Sequence, residues 1–236
     1  MKVKFGAIVT EGRGKLGGHV ASRNAGGAYF RTRVTPVNPR TLLQQSYRSV
    51  FGSISRSWRA LTEVQREAWN SAVSNWSKTD VFGDAKNPSG FNLHQKINMI
   101  MNTIEQPFLT LPPAPANVPP VALSSITPAA SQIDLNLVSA SGPLTADTVI
   151  VVEATPPVSP GKKFVANLKR VIATIEGDAV FLGPGNEGVF EIYDFYVARF
   201  GAYEAMTGKK IYVSVRAVDA ETGSTAASFG GSFTIV

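Results

Sequence analysis

Ile211-Tyr212-Val213-Ser214-Val215-Arg216-Ala217-Val218 sets Ile211, Val213, Val215 and Ala217 in one series and polar or outward residues in the other. A period of two sends successive side chains to opposite faces, so this stretch reads as a half-buried strand. Working outward, Ile133, Leu135 and Leu137 alternate with Asp134 and Asn136 in the same way. Thr148 to Ala154, Leu168 to Ile175, Ala179 to Leu182 and Ser228 to Val236 read as further strands, with turn signals at Ser141-Gly142-Pro143 and Pro160-Gly161. Short strands separated by turns predict a β-sandwich over 122–236. Ile192 to Phe200, continuous in aromatics, reads as a helical crossover or a long connection.

Upstream the period changes. Asn38-Pro39 reads as a helix start, since Asn caps well and Pro at the first helical position loses only an N–H that would be unpaired. Leu43, Tyr47, Val50, Phe51, Ile54 and Trp58 then form one apolar stripe at helical spacing. In Thr62-Glu63-Val64-Gln65, Thr62 and Gln65 have the spacing of a capping box that opens a second helix. A third starts near Ser89 and presents Leu93, Ile97, Ile100, Met101 and Ile104. Three short helices holding all three tryptophans make a helical unit over 38–106, marginal alone at that size. Prolines 107, 112, 113, 115, 119 and 120 predict a stiff linker over 107–121.

Residues 1–37 contain seven glycines and no sustained periodicity, although Ala28 to Val34 has the look of a short strand. The first sixty residues carry eleven Lys or Arg against Glu11 alone; charge is +9 over 1–115 and −3 beyond, for +6 overall. So basic and glycine-rich a segment reads as an extended arm that another subunit orders, because its own apolar surface cannot offset an ordering cost of roughly 1–2 kcal/mol per residue. The fold class expected is therefore α+β in two parts, a basic arm with a small helical unit followed by a sandwich. No apolar run spans a bilayer, and Phe5 to Val9 is too short for a signal-peptide core. With no cysteine, disulfides and thiolate sites are excluded.

Gly17-Gly18, Gly26-Gly27, Arg31, Arg33, Pro36-Val37-Asn38-Pro39-Arg40-Thr41, Gln44, Arg48, Phe51, Trp58-Arg59-Ala60-Leu61-Thr62, Gln65-Arg66 and Trp69-Asn70 form an ordered motif. It resembles a family of small tailed-bacteriophage proteins, thought to be structural components of the virion, in which a glycine-rich basic arm leads into paired helices. The resemblance covers about residues 5–105 and implies a virion protein assembled in the host cytoplasm. The second half resembles a fibronectin type III or immunoglobulin-like module through Ile211 to Val218, Asp219 and Thr222-Gly223. It departs from the usual pattern in that Tyr212 takes the outward register and the core Trp is missing.

Gly183-Pro184-Gly185-Asn186-Glu187-Gly188 matches the letters of a dinucleotide fingerprint but lacks a following amphipathic helix, so it reads as a surface loop. Gly14-Lys15-Leu16 likewise lacks the elements of a P-loop. His19 and His94 stand 75 positions apart with no metal-ligand spacing, His94 reading as a cap or flank of the third helix and His19 as part of the arm. Glu63 with Glu67 and Asp219 with Glu221 read as helix-start and turn residues. No catalytic, metal or cofactor site is expected.

What remains is docking. Arg23, Arg31, Arg33, Arg40 and Arg48, with Tyr29 and Phe30, are the candidate docking residues; Trp58 and Trp69 join them as possible anchors beside a core role. The expected partners are other virion proteins, either major capsid protein or portal and connector subunits, in an oligomeric particle. A capsid decoration or cement role is preferred, with a head-to-tail connector or tail-ring protein as the alternative. A DNA-binding protein is the reading from another class, since Tyr29 and Phe30 beside Arg31 and Arg33 mix stacking with phosphate neutralisation. A glycan-binding head fibre would need an exposed platform, for which Tyr193, Phe195 and Tyr196 are the candidates.

Overall fold

The structure is a computed structural model that describes residues 1–4, 6, 12–24, 26–129, 131–139, 144, 147–162, 164–177, 187–203 and 205–235. It is an α+β chain with antiparallel sheets and two compact units, Met1–Ser49 with Ser77–Asn87, and Val50–Trp76 with Pro88–Val236. The expected turn Ser141-Gly142-Pro143 and strand Ala179 to Leu182 lie outside the described residues.

In the first unit, the segment expected to be an extended arm folds back on itself. β1 (Gly14–Leu16), β2 (His19–Asn24) and β3 (Gly27–Thr32) form an antiparallel meander in that order. The glycines supply its turns rather than an open chain: Gly17 at φ 55° occupies the left-handed position between β1 and β2. Arg33 N–H donates to the Gly18 carbonyl at 2.8 Å, extending the ladder past β3. A second hairpin, β4 (Lys78–Thr79) and β5 (Ala85–Lys86), belongs to the same unit.

Helix α1 spans Leu42–Ala60, three residues later than Asn38-Pro39 predicted. Pro39 disfavours helical backbone at Asn38, and Arg40 at φ 50° interrupts the chain before Thr41. Thr41 takes over the cap, its Oγ1 accepting from Gln44 N–H at 3.3 Å, while Asn38 Oδ1 instead accepts from Arg48. α2 (Glu63–Ala72) opens with the expected capping box, Thr62 N–H donating to Gln65 Oε1 at 2.9 Å and Gln65 N–H to Thr62 Oγ1 at 3.4 Å. α3 (Gly90–Thr103) is capped by Ser89.

The rest of the second unit is built on two sheets. β6 (Val121–Ala129), β7 (Gln132–Ser139) and β10 (Glu187–Glu191) run in the order β10-β7-β6. β8 (Thr148–Ala154), β9 (Arg170–Glu176), β11 (Lys210–Asp219) and β12 (Phe229–Thr234) run in the order β12-β11-β8-β9. Helix α4 (Tyr193–Phe200) lies between β10 and β11, as the aromatic stretch suggested. The alternating residues of both sheets, among them Ile133, Leu135, Leu137, Ile150, Val152, Ile211, Val213 and Val215, meet in one core.

The outward series of the four-stranded sheet is also buried. Val149, Val151 and Val218 pack with Leu61, Trp69, Leu93, Ile97, Met101 and Ile104 in a second core. The helices are thus not a free-standing unit ended by a spacer at 107–121, as the sequence reading had it; they cover a sheet face. The proline-rich segment is tied at several points. Leu109 exchanges both backbone hydrogen bonds with the Asn98 side chain, Thr110 accepts from the Trp69 indole, and Ala116 N–H donates to Ser224 Oγ. A run of prolines here lowers the entropy lost on fixing an extended connection.

Candidate docking surface

Strand register distributes the basic residues of the first unit. Val20 pairs with both Lys15 and Arg31, and Ser22 pairs with Tyr29, so Lys15, Arg31 and Tyr29 share one face of the meander. Ala21 pairs with Phe30 and Arg23 with Ala28, which puts Phe30 and Arg23 on the other face. Arg23, Arg31, Arg33, Arg40 and Arg48 are all exposed, and Tyr29 and Phe30 are half-buried. Arg48 is oriented by its 3.0 Å hydrogen bond to Asn38 Oδ1. Among these cations stand exposed apolar side chains, Leu16, Val34, Val37 and Leu42.

A carboxylate that the sequence reading passed over organises the edge of this unit. Asp80 Oδ1 accepts from Phe82 N–H at 2.8 Å and Asp84 N–H at 3.2 Å, with Gly83 at φ 85° closing the β4–β5 turn. Its Oδ2 lies 3.4 Å from both Lys2 and Lys86 Nζ, and Lys86 also donates to the Gly26 carbonyl. The Phe82 backbone N–H above all, then the Asp84 amide and the two ammoniums, hold the Asp80 carboxyl at about 2, against an ordinary 3.8. Lys4 and Asp84 add a 3.0 Å pair. The signal available in the sequence was Asp80-Val81-Phe82-Gly83-Asp84, an Asx-turn composition between two lysines.

The tryptophan candidates are placed elsewhere. Trp69 is fully buried, with its indole N–H donating to Thr110 O at 2.9 Å, so it is a core residue and not a docking anchor. Trp58 is half-buried and meets Phe91 and His94 edge-on. His94 is not a cap or flank of α3: it is wholly buried between Trp58 and Trp69, its ring centroid 5.3 and 5.1 Å from theirs. Neither of its ring nitrogens has a hydrogen-bond partner among the described residues, and burial pushes its pKa from 6.5 down to about 4. Other motif residues serve the same corner. Arg66 donates to the Arg59 and Leu61 carbonyls at the end of α1 and pairs with Glu63 at 3.3 Å.

The remaining chemical candidates are accounted for locally. Asp219 Oδ1 accepts from Glu221 N–H, Thr222 N–H and Thr222 Oγ1, an Asx turn. Gly183 to Asn186 lie outside the described residues, while Glu187 and Gly188 open β10. Of the platform candidates, Tyr196 is buried and donates to Thr155 O at 3.0 Å, burial raising its pKa, Tyr193 packs on Tyr203, and Phe195 stays exposed beside Phe190. Among the described residues there is no group of three His, Cys, Asp or Glu placed to hold a metal, and no helix is long and apolar enough to cross a membrane.

No protein-family model matches the sequence, and no curated protein matches it. Among solved structures, a superoxide reductase in its oxidised state is similar over 53% of this chain and 95% of its own, at 9% identity and a TM-score of 0.25, too low to bear on fold or function.

Proposed function

We propose that this chain is a non-enzymatic structural protein of a tailed-phage particle, docking through its basic first unit on neighbouring subunits as a capsid decoration or cement protein. One observation carries the reading. The first unit holds eleven Lys or Arg against three acids and exposes Leu16, Val34, Val37 and Leu42 among its arginines. Apolar groups interleaved with same-sign charge are costly to leave in water and well suited to a partner that is both apolar and acidic. The resemblance of the motif around Arg31 to Asn70 to a family of phage structural proteins supports the same reading. Cryo-electron microscopy of purified particles, with and without imposed symmetry, tests it: density repeated over the shell is expected, a ring at the unique vertex would favour a connector, and absence of the chain from particles would refute both.

The β6–β12 region is on this reading an immunoglobulin-like sandwich of the fibronectin type III kind. Its support is the chain order: first, second and fifth strands in one sheet, fourth, third, sixth and seventh in the other, around a shared core. Tyr212 faces outward, donating to Lys162 O, and no Trp lies in this core. DNA contact is the second reading, favoured by the row Lys15, Val20, Arg31 with Tyr29 on the same face of the meander. A titration of duplex and single-stranded DNA at two salt concentrations tests it, a steep loss of affinity with salt being expected and absence of binding at low salt refuting it.

A further inference from the structure

We infer that one face of the β1–β3 meander, the row Lys15–Val20–Arg31 with Arg33 at its end, is the docking face of the first unit, and that it receives a strip of Asp and Glu side chains with an apolar centre on a different protein of the particle. The inference rests on the particle reading above and says which residues make the contact and what chemistry they meet.

Strand register puts these side chains together. Lys15 pairs with Val20 and Val20 with Arg31, so the three stand in one row across three strands, on one side of the sheet. Two strand spacings, about 10 Å, separate the two cations. Arg33 follows Arg31 by two residues, about 7 Å along the strand. Its N–H donates to Gly18 O at 2.8 Å, which keeps it in the same series. Gly17 and Gly18 border the row, and a Cβ built on either would meet nothing within 4 Å, so no described side chain overhangs this end. The other end of the face is closed by the unit itself. Lys2 bridges to Tyr29 and reaches Asp80, and Lys86 Nζ lies 3.7 Å from where a Gly27 Cβ would stand.

Charge selects the occupant. Lys15, Arg31 and Arg33 are exposed, and among the described residues their side chains have no ion pair or hydrogen bond. Asp80 and Asp84 already pair with Lys2, Lys86 and Lys4, and no Asp or Glu occurs over residues 12–49. A second copy offering this same face would set three cations against three. DNA would gain about three phosphate contacts, an attraction that weakens about 40-fold between about 50 and 200 mM salt and leaves Val20 unused. A protein strip of carboxylates flanking an apolar centre meets the whole row. Arg31 and Arg33 can each donate two hydrogen bonds to a carboxylate, and Val20, half-buried in the free unit, meets the apolar centre.

The test uses the full chain expressed during infection by the phage that encodes it. Copies per purified particle are counted by quantitative mass spectrometry for the wild type, Lys15→Glu with Arg31→Glu, and Lys15→Gln with Arg31→Gln. The control is Thr32→Glu, whose exposed side chain pairs with His19 on the opposite face of the same sheet. Incorporation is expected to fall by about tenfold or more for the Glu pair and by less for the Gln pair, with Thr32→Glu retained. Amide hydrogen exchange at Ala21 and Phe30 of the purified variants checks that the meander is kept; the Gln pair, which removes charge without reversing it, decides where the Glu pair fails that check. In parallel, a photoreactive amino acid replacing Lys15 is expected to crosslink to an Asp- or Glu-rich virion protein. Wild-type incorporation with both pairs undiminished, or with Thr32→Glu reduced as much as the Glu pair, overturns the docking face while leaving the particle reading intact. A crosslink to DNA or to a second copy of this chain overturns the assigned occupant. A wild type missing from particles overturns the particle reading and this inference with it.

Discussion

Acid should unfold this protein through one histidine. His94 is fully buried between two indoles, without a hydrogen-bond partner for either ring nitrogen among the described residues, and burial lowers its pKa from 6.5 to about 4. A lowered folded pKa means that the unfolded chain takes up a proton, below about pH 6.5, that the native chain refuses until about pH 4. Stability is therefore full above that window and falls as pH drops through it. At 1.36 kcal/mol per unit, the loss amounts to about 3 kcal/mol by pH 4, a large share of a typical domain's 5–15 kcal/mol. Urea unfolding followed by tryptophan fluorescence should show the midpoint dropping by about 1–2 M between pH 7 and pH 4.5, for a slope of about 2 kcal/mol/M. His94→Phe keeps the edge contacts and removes the titration; whatever it costs in packing at neutral pH, its midpoint should change far less across the window. His94→Leu repeats the comparison with a smaller side chain. Equal pH dependence in wild type and both variants would refute the reasoning.

Other consequences are local. Gly90→Ala would place a Cβ 2.9 Å from the Asn70 backbone nitrogen and should destabilise by about 1–3 kcal/mol in chemical denaturation. Gly52→Ala, in α1 with open space around it, should instead stabilise by about 0.5–1 kcal/mol in the same assay. Thr62→Ala removes one half of the capping box and should cost about 1 kcal/mol. Asp80→Asn should speed amide hydrogen exchange at Phe82 and Asp84; because the folded carboxyl is held at about 2, the wild type should loosen at these amides only as pH falls from about 3.8 towards 2.

Patterning made much of this architecture legible. The period of two in Ile133–Leu137 and Ile211–Ala217 marked β7 and β11, and the spacing of Thr62 and Gln65 gave the start of α2. The misreadings share a cause, which is that composition averages over geometry. Glycine and arginine content suggested an open arm, whereas Gly17 makes a turn and β1–β3 pair. Asn38-Pro39 has the letters of a helix start, but the backbone of Arg40 delays it. Asp80 went unseen because its partners, Lys2 and Lys86, are separated from it by up to 78 positions. Of the docking candidates, the arginines stand exposed as a sequence can suggest, while Trp69 is buried among residues as distant as Val149 and Val218, its indole donating to a carbonyl 41 residues away.

The strand β8 held the clue to how the second unit is assembled. Val149-Ile150-Val151-Val152 is apolar without alternation, the mark of a strand covered on both faces rather than one. Ile150 and Val152 enter the core between the sheets, while Val149 and Val151 enter the core beneath the helices. The helices therefore could not have been a detachable anchor: without them, β8 and Val218 of β11 would face water. This also reassigns the motif around Trp58 to Asn70. Thr62 and Gln65 cap α2, Arg66 closes the end of α1, Trp58 and Trp69 enclose His94, and Asn70 meets Gly90 at the α2–α3 crossing. Residues committed to that corner serve the packing of the second unit.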